Sequence, residues 1–491
     1  RASPVTAAFR WAVASLALAS LACGGTPSIG GVAGVPPSPN VAWTPPAEKR
    51  SREVAAQPPV PPDLQLRIRQ LTLAEVVDLG LRNNPLTRLS WANARAAAAA
   101  YGSERGAYYP TVDGDVTVTR LKTVASQGRS AVTQSVVNPS LNLSYLLLDF
   151  GGRSGNVGAA RNALLAANFT HNATLQDVVL QIQGAYFQYI ANRALLAAQQ
   201  TTTREARANL AAAEERKRVG VATIADVLQA QTAASQAELA GQIIEGALKT
   251  THGALALSLG LPANLPFEVD SVAAELPVSV LADSVDILIA GAVEGRPDLA
   301  AARAEFEASQ SQISVARASR LPSLVLNGVG GRTYTTTLPD GGNNYTLSLG
   351  LQIPLFAGFS RLYDQREAAA LADAASARAE ALGQQVVFEV FRSYYALQTA
   401  ARRVHTAGDL ISSATQSSEV ALGRYKAGVG SVLDLLSAQS ALAQARAQQV
   451  LARLEWNTSL AQLARDAGVL DPQGGSSLRL TQDSVPQQLP R

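Results

Sequence analysis

Few side chains in this sequence are suited to bond-making chemistry. Among its 491 residues stand one cysteine, Cys23, and three histidines, His171, His252 and His405. A single thiol excludes a disulfide framework and a cysteine zinc site, and the histidines lie on expected helices with no acid or thiol at metal-ligand spacing. Each histidine reads as a wall or surface residue. Gly328, Gly330 and Gly331 look like a phosphate loop, but no helix carrying a lysine follows them, so they are assigned to a strand. The chain is expected not to be an enzyme and to carry no cofactor or metal.

What the chain does carry is a pair of matched turns. The first runs Arg218-Val219-Gly220-Val221-Ala222-Thr223-Ile224-Ala225-Asp226, and the second runs Tyr425-Lys426-Ala427-Gly428-Val429-Gly430-Ser431-Val432-Leu433-Asp434. Any tight reversal between antiparallel helices favours glycine. Here valine, aspartate and a following Ala-Gln also recur at equal offsets. The plainest role for Asp226 and Asp434 is to stay solvated or to cap the returning helices.

These turns belong to an internal repeat. Val178, Val179, Tyr186, Gly220, Asp226, Leu228 and Gln231 recur as Val386, Val387, Tyr394, Gly428, Asp434, Leu436 and Gln439, every pair 208 apart, while Pro85/Pro297 and Pro110/Pro322 are 212 apart. Each half opens with a helical stretch, at 72 to 105 and 286 to 317, stopped before Pro110 or Pro322. Two strands follow. Leu141, Leu143, Tyr145 and Leu147 alternate with polar residues in one half, as do Tyr345, Leu347, Leu349, Leu351 and Ile353 in the other. Then come very long helices, at 153 to 216 and 361 to 424, with an apolar three-four seam, before the glycine turn and a returning helix.

Composition fits helices packed closely through small residues. Only 16% of residues are charged and 5% aromatic, while 47% are hydrophobic, largely alanine. Residues 1–22 read as a signal peptide with an apolar run from Trp11 to Ala22. Removing Arg1 and Arg10 with it leaves 39 bases against 38 acids, so there is no electrostatic footprint for nucleic acid. Cys23 follows the run and resembles a lipobox cysteine, which would carry a covalent diacylglycerol. Ser20 departs from that pattern, so cleavage after Ala19 or Ala22 stays open. Residues 23–63 form a proline-rich tether, 64–261 the first repeat, 262–285 a linker, 286–467 the second repeat and 468–491 a polar tail.

Four strands with one apolar and one polar face leave edges and a greasy surface open, which a soluble fold does not tolerate well. A transmembrane barrel resolves this, with the apolar face toward lipid. Four strands cannot close, so several chains must share one barrel, and three would supply 12 strands.

The two-fold repeat, Tyr109-Pro110, Leu321-Pro322, Pro354-Leu355-Phe356-Ala357-Gly358 and the two turns resemble the TolC-like outer-membrane efflux proteins, over nearly all of residues 70 to 467. The lipid-type N-terminus is more similar to the lipoprotein branch. The resemblance implies a mixed α and β membrane protein: a homotrimer with a 12-stranded transmembrane β-barrel in the outer membrane of a Gram-negative cell, on a long periplasmic α-helical barrel. It implies an export duct in a tripartite efflux system, docking to a periplasmic adaptor protein and an inner-membrane transporter, with a type I secretion outlet for polypeptides as the alternative. It places adaptor contacts at Arg218, Val219, Gly220, Val221, Thr223, Lys426, Gly428, Val429 and Ser431. It also implies a periplasmic gate, with Asp434 ringing the opening and Tyr425 hydrogen-bonded to Asp226. Gly430 stands where some relatives have a latch arginine.

Overall fold

The computed structural model describes residues 71–122, 133–270, 279–281, 284–335, 338–470 and 480–482. Cys23, the signal segment and the tether lie outside them. The first half runs α1 (Leu73–Asn83), α2 (Pro85–Gly106), β1 (Thr111–Lys122), β2 (Thr133–Leu148), α3 (Gly152–Arg218) and α4 (Ile224–Ser258). After β3 (Ser279–Leu281) the order returns as α5 (Val285–Gly295), α6 (Pro297–Ala318), β4 (Ser323–Thr335), β5 (Leu338–Gln352), α7 (Ser360–Lys426) and α8 (Val432–Asp466), followed by β6 (Leu480–Gln482). Corresponding helices have equal lengths of 11, 22, 67 and 35 residues in the two halves. At about 1.5 Å per residue the longest span roughly 100 Å.

One expectation needs correction, and two features go beyond the sequence reading. The opening helix of each half is two helices, broken at Asn84 and Arg296, whose backbones are extended with ψ of 128° and 125°. Both residues precede a proline, whose ring disfavours the helical conformation one residue earlier. The stretch read as linker contains β3, and the stretch read as polar tail contains β6, which pair antiparallel. The compact units also cut across the repeats, because each half contributes to both.

The strand unit spans residues 102–157 and 311–368 and holds one antiparallel sheet in the order β1-β2-β4-β5. The glycine run of β4 serves close strand approach. A Cβ on Gly331 would lie 2.6 Å from the Pro139 carbonyl oxygen, so only glycine fits there without a shift of backbone.

The helical unit has its main core where α1, α3, α4, α6, α7 and α8 bring together Val77, Ile182, Tyr186, Leu255, Leu299, Val390 and Leu463. The tyrosine keeps its polar end satisfied by donating to the Asp270 carbonyl at 2.7 Å. Farther along the long helices the contacts shrink to small clusters: Ala206, Ala234 and Ala237 join α3 to α4, and Ala414, Leu442 and Ala445 join α7 to α8. Alanine at such positions lets helices approach closely with little side-chain entropy to lose, which accounts for the composition.

Candidate functional site

Cross-strand register decides which residues share a face of the sheet. Val112 pairs with Leu143, Tyr145 with Leu326, Leu326 with Leu349, and Leu324 with Leu351. Directly opposed residues point to the same side, so the apolar series of all four strands forms one continuous face. The opposite face is mainly polar and cross-linked, with Leu146, Val325 and Val329 among its apolar members. Asn142 donates to Asp115, Ser144 Oγ donates to Asn327 Oδ1 at 3.1 Å, and Thr333 Oγ1 to Asn138 Oδ1 at 3.0 Å. The outer edges of β1 and β5 pair with no other strand among the described residues.

The matched turns reverse at Gly220 and Gly428, whose φ values of +83° and +76° are cheap only for glycine. Val221 N donates to the Arg216 carbonyl at 2.9 Å and Val429 N to the Arg424 carbonyl at 3.0 Å, closing both helix ends alike. The returning helices then start with reciprocal capping boxes. Asp226 Oδ2 accepts from Thr223 N at 2.8 Å while Thr223 Oγ1 accepts from Asp226 N at 3.2 Å, and Asp434 with Ser431 does the same at 3.3 and 3.1 Å. Both aspartates therefore cap helices, as the plainer reading of the sequence expects. Each keeps its second carboxylate oxygen free of hydrogen bonds among the described residues. Replacing Thr223 or Ser431 with alanine is expected to cost about 1 kcal/mol at the start of α4 or α8. Hydrogen exchange of the first-turn amides would read it as faster opening there and nowhere else.

Tyr425 is not bonded to Asp226. Its ring is buried beneath the Arg216 guanidinium, 4.5 Å from the ring centre, and Arg216 Nη1 donates to the Tyr425 carbonyl at 2.8 Å. The Tyr425 hydroxyl and Arg216 Nε are buried without hydrogen-bond partners. Further ties between the two hairpins are the Asn209–Gln439 side-chain pair and the two-pronged Arg446–Glu205 pair at 3.0 and 3.1 Å. Arg216 and Gln439 recur with the repeat as Arg424 and Gln231, but Tyr425, Asn209, Arg446 and Glu205 do not, so no spacing in the sequence announces which groups meet. The remaining tip residues are open to solvent, with Val219, Val221 and Val429 exposing apolar side chains beside Lys426. Arg218 is bonded to Glu215, which holds that carboxyl below its usual range and raises the arginine.

A second polar centre, missed from sequence, sits at the break between α5 and α6. Arg296 is almost wholly buried, bonded to Asp298 at 3.0 Å and to Glu389 at 2.7 Å. Burial alone would lower its proton affinity, but the hydrogen bonds and charges of Asp298 and Glu389 reverse the direction and raise it. Burial pushes both carboxyls up. The contacts with Arg296 outweigh it and hold Asp298 low, and for Glu389 the Gln385 hydrogen bond adds to them with the same result. Arg465 completes the cluster through Asp177, Glu389 and Asp466 at 2.9, 3.3 and 3.4 Å.

The histidines stand apart. His171 Nδ1 lies 2.8 Å from Ser90 Oγ, His252 stacks on Phe267, and His405 faces Asp409 in solvent. Among the described residues no group of histidine, cysteine and acids could hold a metal, and no helix is long and apolar enough to cross a membrane.

Comparison with known proteins gives a consistent result. A family model described as outer membrane efflux protein matches residues 76–261 and 288–469. Protein CyaE of Bordetella pertussis is 32% identical over 444 residues, spanning 87% of this chain and 90% of its own length. The probable efflux pump outer membrane protein SepC of Pseudomonas putida is 27% identical over 416 residues, spanning 82% and 84%. A crystal structure of a membrane protein from Pseudomonas aeruginosa matches with a TM-score of 0.74 at 26% identity, covering 81% of this chain and 93% of that one.

Proposed function

The chain belongs to the outer membrane efflux protein family, and from that premise we propose that it is the passive outer-membrane duct of a tripartite efflux system, working as a homotrimer. The observation that carries this reading is the sheet: one face apolar across four strands, the other mainly polar, and both edges open. The strands alternate in direction, so β1 at one edge runs antiparallel to β5 at the other. The β5 edge of one copy can therefore pair with the β1 edge of the next without breaking the alternation, and three copies give 12 strands with no edge left. The apolar face meets lipid and the polar ladder of Asp115, Asn142, Ser144 and Asn327 meets the lumen.

The long hairpins extend this duct into the periplasm. Exposed Val219, Val221 and Val429, with Arg218, Thr223, Lys426 and Ser431 around Gly220 and Gly428, form the surface offered to a periplasmic adaptor, and through it to an inner-membrane transporter. Cys23, when lipidated, adds an anchor that the barrel does not depend on. In this reading the chain is a conduit and not an enzyme, and the choice of cargo lies with the inner-membrane transporter.

Asp226, Tyr425 and Asp434 form the gate in a revised arrangement. Capping fixes the height of each aspartate, and the unbonded oxygen of each leaves a carboxylate for the lumen. Three Asp434 side chains around one opening favour cations. The latch is Arg216 on Tyr425, which ties the end of α3 to the end of α7 in place of the phenol-to-carboxylate bond. Conductance of the reconstituted assembly in planar bilayers tests the whole reading. Asp434→Asn is expected to lower cation selectivity, Arg216→Ala to raise the open fraction, and Tyr425→Phe to change little because the ring remains. A parent protein that never conducts would overturn the duct. Retention of a polypeptide, rather than of small toxic compounds, on gene deletion would move the duct to type I secretion.

A further inference from the structure

The two strand-to-helix junctions of the strand unit are built alike and charged differently. Gly152 N donates to the Asp149 carbonyl at 3.2 Å in the first, and Ser360 N donates to the Ala357 carbonyl at 3.1 Å in the second, so Asp149 and Ala357 hold the same place in the turn. One residue farther on, Arg153 Nη1 reaches back to the Ala107 carbonyl and Arg361 Nη1 to the Ser319 carbonyl, again corresponding positions.

At the first junction the arginine is neutralised at home. The Asp149 carboxylate lies 3.6 Å from Arg153 Nε, and Tyr108 stands beside the guanidinium. At the second, alanine replaces that carboxylate, and Arg320 occupies the position corresponding to Tyr108. Its guanidinium bonds to Gln365, one turn along α7 from Arg361 and on the same face. Asp364 and Glu367 form no ion pair with either arginine among the described residues. The second junction thus presents two guanidinium groups with no ion pair among the described residues, while Asp149, paired with Arg153, lines the same cavity as Arg361.

Exposed apolar side chains stand two to six residues before Arg361 in the chain. Leu355 is 92% and Phe356 78% exposed, and Phe359, with φ of +65°, turns an exposed ring outward from a backbone conformation that glycine fills at the neighbouring position 358. A water-soluble anion would gain nothing from these rings. A phospholipid would use both parts, since guanidinium forks match phosphate oxygens and the acyl chains lie on apolar side chains.

We propose that Arg361 and Arg320 hold the phosphate of one phospholipid per chain, its acyl chains against Leu355, Phe356 and Phe359, while the self-neutralised first junction holds none. The inference rests on the reading of the sheet as a membrane barrel.

The first junction supplies the test. Ala357→Asp copies its carboxylate into the second, and Ala357→Asn adds the same shape without charge. Native mass spectrometry of the full-length assembly with added dioleoyl phosphatidylglycerol should count one retained lipid per chain for the parent and for Ala357→Asn. For Ala357→Asp, binding should be about tenfold weaker, one charge-assisted contact having been lost. Equal binding by all three proteins, or loss in the asparagine variant as well, would overturn the site, as would displacement of the lipid by inorganic phosphate at equal concentration. Conductance of the same preparations separates the two readings. A conducting parent whose lipid count ignores Ala357→Asp sinks only this inference, whereas a parent that never conducts sinks the duct and this site with it.

Discussion

Arg296→Ala is expected to cost about 1.5–3 kcal/mol of stability, because it removes the buried guanidinium that bridges two half-buried carboxylates, leaving Asp298 with the Leu299 amide and Glu389 with Arg465 and Gln385. The assembly should dissociate on heating well below the parent temperature, and chemical unfolding of the helical unit should shift in the same direction. The other half of the chain provides a natural control. Asn84, at the position matching Arg296, donates to the Ser258 carbonyl at 3.1 Å, while Arg296 donates to the carbonyl of Asp466, the match of Ser258. Leu86, Gln181 and Leu257 stand where the charged half has Asp298, Glu389 and Arg465. The same helix break is thus held once by neutral groups and once by a buried ion cluster. Substituting Arg296, Asp298, Glu389, Arg465 and Asp466 together by their neutral counterparts, which leaves only the more exposed Asp177 of the cluster, should cost little or even stabilise, since a buried ion pair rarely outperforms well-packed neutral groups. If Arg296→Ala alone left the dissociation temperature unchanged, the cluster would not be holding the break.

The cluster also sets a pH dependence of definite sign. Asp298 and Glu389 have folded-state proton affinities depressed below their ordinary values. Their contribution is therefore complete above the ordinary carboxyl range, near pH 4 to 5, and is lost as pH falls through the lower folded values. Arg296 and Arg465 are raised from an already high value and add no dependence near neutrality. Acid should loosen the α5–α6 break before it loosens the neutral break at Asn84, an order that hydrogen exchange below the ordinary carboxyl range would reveal.

Much of the fold is legible in the sequence because its signals are periodic. Alternation at Leu347, Leu349 and Leu351, the long three-four seams and the duplicated glycine turns each state a local geometry, and the 208-residue offset ties them into a plan. The breaks at Asn84 and Arg296 were equally available, since Pro85 and Pro297 follow them directly, but the helical pattern on both sides conceals a stop that lasts one residue. The ion cluster is a different case. Asp177, Glu389 and Arg465 meet from three helices with Arg296 at the α5–α6 break, so no local spacing marks them, and only their absence from the matching half hints at a special role. The gate was legible in part: the turn motif locates Asp226, Tyr425 and Asp434, yet which groups touch depends on how two hairpins pack. Arg216 recurs as Arg424, but Tyr425 faces Lys217 in the repeat, so the hold of Arg216 on Tyr425 emerges only once α3 and α7 lie side by side.

Leu349→Arg should prevent stable insertion into the membrane, whereas Ser348→Arg, one residue away, should insert and alter the current. The side-chain period of a strand is two, so neighbouring residues of β5 face opposite media. Leu349 pairs with Leu326, itself opposite Tyr145, in the middle of the apolar face, while Ser348 pairs with Asn327, which accepts from Ser144 on the polar face. An arginine on the lipid face near the bilayer midplane costs about 2–4 kcal/mol, and a trimer pays it three times. That total rivals the stability of an ordinary folded domain, about 5–15 kcal/mol, so the loss should appear as protein that fails to float with vesicles. On the polar face the guanidinium meets water beside Asn327 and Ser144, and three added cations should instead reduce cation current through the assembly. The pair of outcomes is specific to a barrel. A soluble sheet packed on another layer through its apolar face would lose stability with Leu349→Arg but would show no current for Ser348→Arg to change, and a sheet with lipid on neither side would tolerate both.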